Sequence, residues 1–150
     1  MARFRTLRVI VIVMLSLLVI QFELGMNVNL SPDLKEIPPV ALSFPAVWGA
    51  LSAVGGSSIV HAFLGTFLVL AGLLVLVLSV LSKSTSIAVM GTLCFATTAV
   101  AAICGVLFTV SGFKDDGLSH GMATNFIVSF ALHFVLLSIL FVKMRRPAGT

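Results

Sequence analysis

Polar residues and turn formers divide this chain into four long apolar runs, at about residues 9–26, 57–81, 86–111 and 118–142. Each has about the length, roughly 17–25 residues, that a helix needs to cross a bilayer's hydrocarbon core. The pattern predicts an all-α protein: a single domain over residues 1–150, an antiparallel bundle of four membrane-spanning helices. The region from 27 to 56 joins the first two runs, and Pro38, Pro39, Pro45, Gly55 and Gly56 keep it from merging with the second. Its latter half is apolar and contains Trp48, so a short interfacial helix is expected near 46–53. That helix is either a lid on the bundle's outer mouth or part of a surface loop with one interfacial tryptophan.

Composition agrees with a lipid environment. The chain is 59% hydrophobic and 9% charged, where a soluble domain carries about 25% charged residues. The net charge of +4 reads as a topology signal rather than a nucleic-acid surface, because the basic residues flank the apolar runs. Arg3, Arg5 and Arg8 precede the first run, Lys83 lies between the second and third, and Lys143, Arg145 and Arg146 follow the last. All fall on one side of a four-span protein, which places both termini in the cytoplasm. Asp33, Lys35, Glu36, Lys114, Asp115 and Asp116 fall on the other side and nearly balance. The first run is long for a signal sequence and no small-x-small cleavage site follows it promptly, so it reads as a retained span. The expected location is the cell membrane, as a multi-pass protein of a prokaryotic plasma membrane.

The candidate chemistry lies with the histidines. His61 and His120 each stand just inside the outer end of an even-numbered span, and an intramembrane histidine is a functional candidate by default. Spans two and four can lie diagonally across a bundle, and two imidazoles at similar depth can ligate a haem iron axially. Gly65, one turn after His61, leaves room for a flat ring. Lys35 and Lys114, on the same side, suit a haem's carboxylate tails, or are simply solvated loop charges. Glu23 is placed for a proton or orienting role beside His61, or for contact with interfacial water.

His133 lies 13 residues after His120. On a helix that is about 20 Å deeper and roughly 140° around the axis. A second bis-histidine haem is therefore not expected, and His133 reads first as a hydrogen-bonded core group, then as part of a proton path or a subunit contact. Cys94 and Cys104 lie ten residues apart in one span, about 15 Å along a helix, too far for a disulfide between them.

The layout of four helices, with His61 early in the second and His120 early in the fourth, 59 residues on, resembles one half of haem A synthase. The resemblance implies a haem b near the outer face, held by His61 and His120. Ser57 and Ser58 stand where that family has a glutamate, and its outer-loop cysteine pair and its arginine-glycine pattern are absent. Oxidation of a haem methyl group is therefore not implied. The string from Gly25 to Leu30 is also similar to small four-helix prokaryotic membrane proteins, which implies no activity.

The leading expectation is a small b-type cytochrome that exchanges electrons with quinol or an outer redox protein. The alternative is a non-catalytic membrane subunit or scaffold, as a homo-oligomer or within a larger complex, with structural histidines. A transporter ranks below both, because the spans lack pore-lining charge and midplane prolines. No phosphate loop, CxxC, zinc spacing or nucleophile elbow is present.

Overall fold

A computed structural model describes residues 2–31, 34 and 36–145. Asp33 and Arg146, used in the charge reading, lie outside the described residues. Among those described there are five helices and no strand: α1 (Ala2–Asn29), α2 (Phe44–Val54), α3 (Gly56–Leu81), α4 (Thr85–Val110) and α5 (Asp116–Arg145). The four longer ones are each long and apolar enough to cross a membrane.

Helices α3 and α4 begin and end within a residue of the expected spans, but α1 and α5 are longer. Their extra turns carry basic residues that find partners at one end of the bundle. Arg3 Nη1 donates to the Leu81 carbonyl at 3.2 Å, where the last turn of α3 leaves acceptors open. The Arg8 guanidinium lies 5.3 Å over the Phe141 ring. Lys143 Nζ donates to Ser84 Oγ at 2.7 Å.

The long helices pack in the cyclic order α1–α3–α4–α5, with α5 returning to α1. Helices α1 and α4 are diagonal, as are α3 and α5. Each helix buries a line of residues spaced 4-3-4, the spacing that keeps one seam facing its neighbours. On α1 the line is Leu7, Val11, Met14 and Leu18; on α3 it is Leu68, Gly72, Val75 and Ser79. On α4 it is Ile87, Gly91, Cys94 and Thr98; on α5 it is Ser129, His133, Leu136 and Leu140. The opposite faces expose large apolar side chains, among them Phe67, Leu70, Ile103 and Phe134. Exposed apolar surface of this extent suits lipid and not water.

The region between α1 and α3 has its own small core. Val28, Leu34, Ile37, Ala50 and Val54 are buried together, with Val40 and Phe113 packed against them. The helix expected near 46–53 is present as α2, which rests on α3 and α4. Trp48 stacks on Phe44 and meets the Phe63 ring edge-on at 5.6 Å, tying α2 to α3. The Ser58 hydroxyl reaches the carbonyls of Leu51 and Gly55, at 2.5 and 2.6 Å, and fixes the turn from α2 into α3. A shallow cleft of about 550 Å³ runs between residues 36–40 and α2.

Candidate functional site

Two levels within the spans hold a histidine with a buried, unpartnered ring nitrogen. The first lies in the half of the bundle nearer α2, where α1 meets α3. The seam of α1 continues from Leu18 to Gln21 and Gly25, and that of α3 runs back from Leu68 to Gly65 and His61. The two helices interlock there reciprocally. The His61 ring fills the notch at Gly25, where an added Cβ would stand 3.0 Å from His61 Cε1. The Gln21 amide fills the notch at Gly65, where an added Cβ would stand 3.2 Å from Gln21 Nε2.

The Gln21 side-chain nitrogen lies 3.1 Å from the His61 carbonyl oxygen and 3.2 Å from His61 Nε2. A carbonyl only accepts, so the amide nitrogen must face it. The amide's second hydrogen then goes to Nε2, which acts as an acceptor. In this neutral ring the hydrogen sits on Nδ1. His61 Nδ1 and Gln21 Oε1 are both buried and both lack a partner. The level thus holds one unmatched donor and one unmatched acceptor.

His120 does not join them. It is exposed, off the seam of α5, and has no hydrogen-bond partner among the described residues. Phe22 stacks on Phe126 at 5.7 Å, where α1 meets α5. Glu23 and Lys114 are exposed, and Lys35 lies outside the described residues. Gln21, not singled out from the sequence, is the residue that decides what His61 can do.

In this arrangement His61 offers no free lone pair to a metal, and His120 points away from the seam. The pair as it stands does not fit a haem between α3 and α5. A haem there would require Gln21 to release Nε2 and α5 to turn His120 inward.

The second level lies deeper, at His133. The ring is fully enclosed, and its Nδ1–H donates to the Ser129 carbonyl at 2.8 Å, with Ser129 Oγ at 3.4 Å. Ser129 Oγ shares a 2.7 Å hydrogen bond with Thr98 Oγ1, which lies 2.9 Å from the Cys94 carbonyl. His133 is thus the hydrogen-bonded core group expected of it. Its Nε2, however, is buried without a partner. Among the described residues no three of His, Cys, Asp and Glu gather in one place.

Gly25→Ala tests the interlock. The new methyl must displace the His61 ring, so the Gln21–His61 bond is expected to break and stability to fall by about 1–3 kcal/mol, the usual cost of overpacking. The ¹⁵N shift of His61 Nε2 reads the bond directly. An unchanged shift would mean that the notch has slack.

Comparison with protein-family models, curated proteins and solved structures finds no match to this chain. Function therefore rests on the site itself.

Proposed function

We propose that the chain is a multi-pass plasma-membrane protein, with both termini cytoplasmic and α2 at the outer headgroup level, that binds a quinol-type head group at Gln21 and His61. The supporting observation is the matched pair of unsatisfied atoms, His61 Nδ1–H and Gln21 Oε1. Leaving one buried polar group unsatisfied costs about 1–3 kcal/mol. A head group with two oxygens meets both needs: one accepts from His61 Nδ1–H, and the hydroxyl of the other donates to Gln21 Oε1. A quinol carries such a hydroxyl on an apolar body that reaches the site from within the bilayer. Both protein atoms are enclosed, so binding must open the seam locally between α1 and α3.

The test is the content of the protein purified in mild detergent from cells supplied with a haem precursor. Quinone is expected in an organic extract of the wild type and is expected to be lost in Gln21→Leu and His61→Leu. A Soret band that disappears in His61→Ala and His120→Ala but not in His133→Ala would replace this reading with the bis-histidine haem. Neither quinone nor haem, with a larger complex co-purifying, would leave the scaffold reading.

A further inference from the structure

The histidine whose ring nitrogen is ready to coordinate is not His61 but His133. Metal-binding imidazoles characteristically donate one N–H to a carbonyl or carboxylate and present the other nitrogen bare. His133 has this arrangement: Nδ1–H is held by the Ser129 carbonyl and Nε2 has no partner, in a ring with 0% exposure.

Cys94 lies in its layer and Met14 one turn away, at the level of Thr98 and Ser129. Cys94 is fully enclosed, and its carbonyl is joined to the His133 ring through the Thr98 and Ser129 hydroxyls. The α4–α5 register agrees: Thr98 pairs with Ser129, so one turn further on, Cys94 comes level with His133. Met14 enters from α1. An added Cβ at Gly72 would lie 3.9 Å from Met14 Cε and 4.0 Å from Thr98 Cγ2, so Met14 and Thr98 close on the same point. Met14 and Cys94 belong to one buried cluster.

From this arrangement we propose a buried site for a soft monovalent metal ion, Cu(I), with His133 Nε2, Cys94 Sγ and Met14 Sδ as ligands. Thiolate and thioether ligands select Cu(I). The three side chains are enclosed in the core, which suits a single ion better than a macrocycle. Charge also balances. On binding, the Cys94 S–H bond breaks, its proton leaves to solvent, and a sulfur–copper bond forms, so Cu⁺ and thiolate sum to zero in the apolar core. A proton on Nε2 would instead leave an uncompensated charge there.

The test is anaerobic competition for Cu(I) between the untagged full chain and bicinchoninate. The wild type is expected to take up one Cu(I) per chain, with nitrogen and sulfur scatterers in its X-ray absorption spectrum. His133→Leu and Cys94→Ala are expected to leave the copper with the chelator, Met14→Leu to hold it more weakly, and Cys104→Ala to match the wild type. Copper left wholly with the chelator by the wild type would overturn the proposal. So would wild-type uptake by His133→Leu or Cys94→Ala. His133→Leu removes an unsatisfied acceptor, so without metal it is expected to melt no lower than the wild type. Should it fail to fold, Cys94→Ala and Met14→Leu decide the matter alone. The site is independent of the Gln21–His61 reading, and failure of either leaves the other standing.

Discussion

Gly91→Ala is expected to be among the most damaging single-methyl additions in this chain. At Gly91 helix α4 lies close against α3. A Cβ there would overlap both Cβ and Oγ of Ser79, and the Val75 carbonyl stands only 3.6 Å away. Small residues at such crossings let two backbones approach, and that close packing holds membrane helices together where no hydrophobic drive exists between them. The methyl cannot be relieved by a rotamer change of Ser79, because the obstructing Cβ does not rotate. Helices α3 and α4 must separate, with a loss of about 3 kcal/mol, the upper part of the range for overpacking. Unfolding in mixed detergent micelles measures it. The second-site variants carry the argument further. Ser79→Gly in the Gly91→Ala background is expected to restore most of the loss, whereas Ser79→Ala is not, since it keeps the Cβ. Rescue by Ser79→Ala would show that the hydroxyl, not the backbone approach, is the obstacle.

The same register explains how far the sequence could be read. Four spans were legible because each apolar run is long enough to cross a bilayer and is bounded by charge or by turn residues. Depth was legible too, since distance along a helix is proportional to residue number. Facing direction was the harder quantity. Two histidines near the same end of the bundle make a natural pair by depth, but depth does not say which way a ring points. The 4-3-4 line through Ser129, His133, Leu136 and Leu140 does. The angle of roughly 140° between His120 and His133 means that only one of them can face the seam. The structure seats His133 there and leaves His120 exposed. Extending the α1 line from Met14 and Leu18 would have reached Gln21 and Gly25, and extending the α3 line back would have reached Gly65 and His61. What no periodicity contains is the pairing itself. That the Gln21 amide bonds both the backbone and the ring of His61 depends on two notches meeting across an interface, and the path of residues 37–40 depends on contacts with a turn some seventy positions later.

That turn carries the second large effect, Gly112→Ala. Helix α4 ends in two residues of left-handed conformation, Gly112 at φ 68° and Phe113 at φ 60°. The Phe113 N–H returns to the Phe108 carbonyl at 2.9 Å and the Gly112 N–H to the Thr109 carbonyl at 3.0 Å, the two bonds of a Schellman motif. The Phe108 and Phe113 rings meet edge-on at 5.4 Å and supply its hydrophobic contact. Alanine at 112 meets two penalties. The left-handed conformation costs a residue with a Cβ about 1–2 kcal/mol. The Cβ would also stand 2.6 Å from the Ile37 carbonyl oxygen, 2.8 Å from Pro38 C and 2.9 Å from Pro39 N. All three are backbone atoms, so the only relief is to lift the strap at 37–40 off the end of α4. That strap is held by Val40 N–H donating to the Val110 carbonyl at 2.9 Å and by the burial of Ile37 in the outer core. The expected result is a loss of about 3 kcal/mol, concentrated in the outer region, since strained backbone and displaced core add. Hydrogen exchange locates it: the Val40 amide is expected to exchange much faster in the variant, while the amides around Val75 and Leu136 keep their wild-type protection. Equal loosening at all three positions would mean that the cap and the bundle unfold together and that the outer core has no stability of its own.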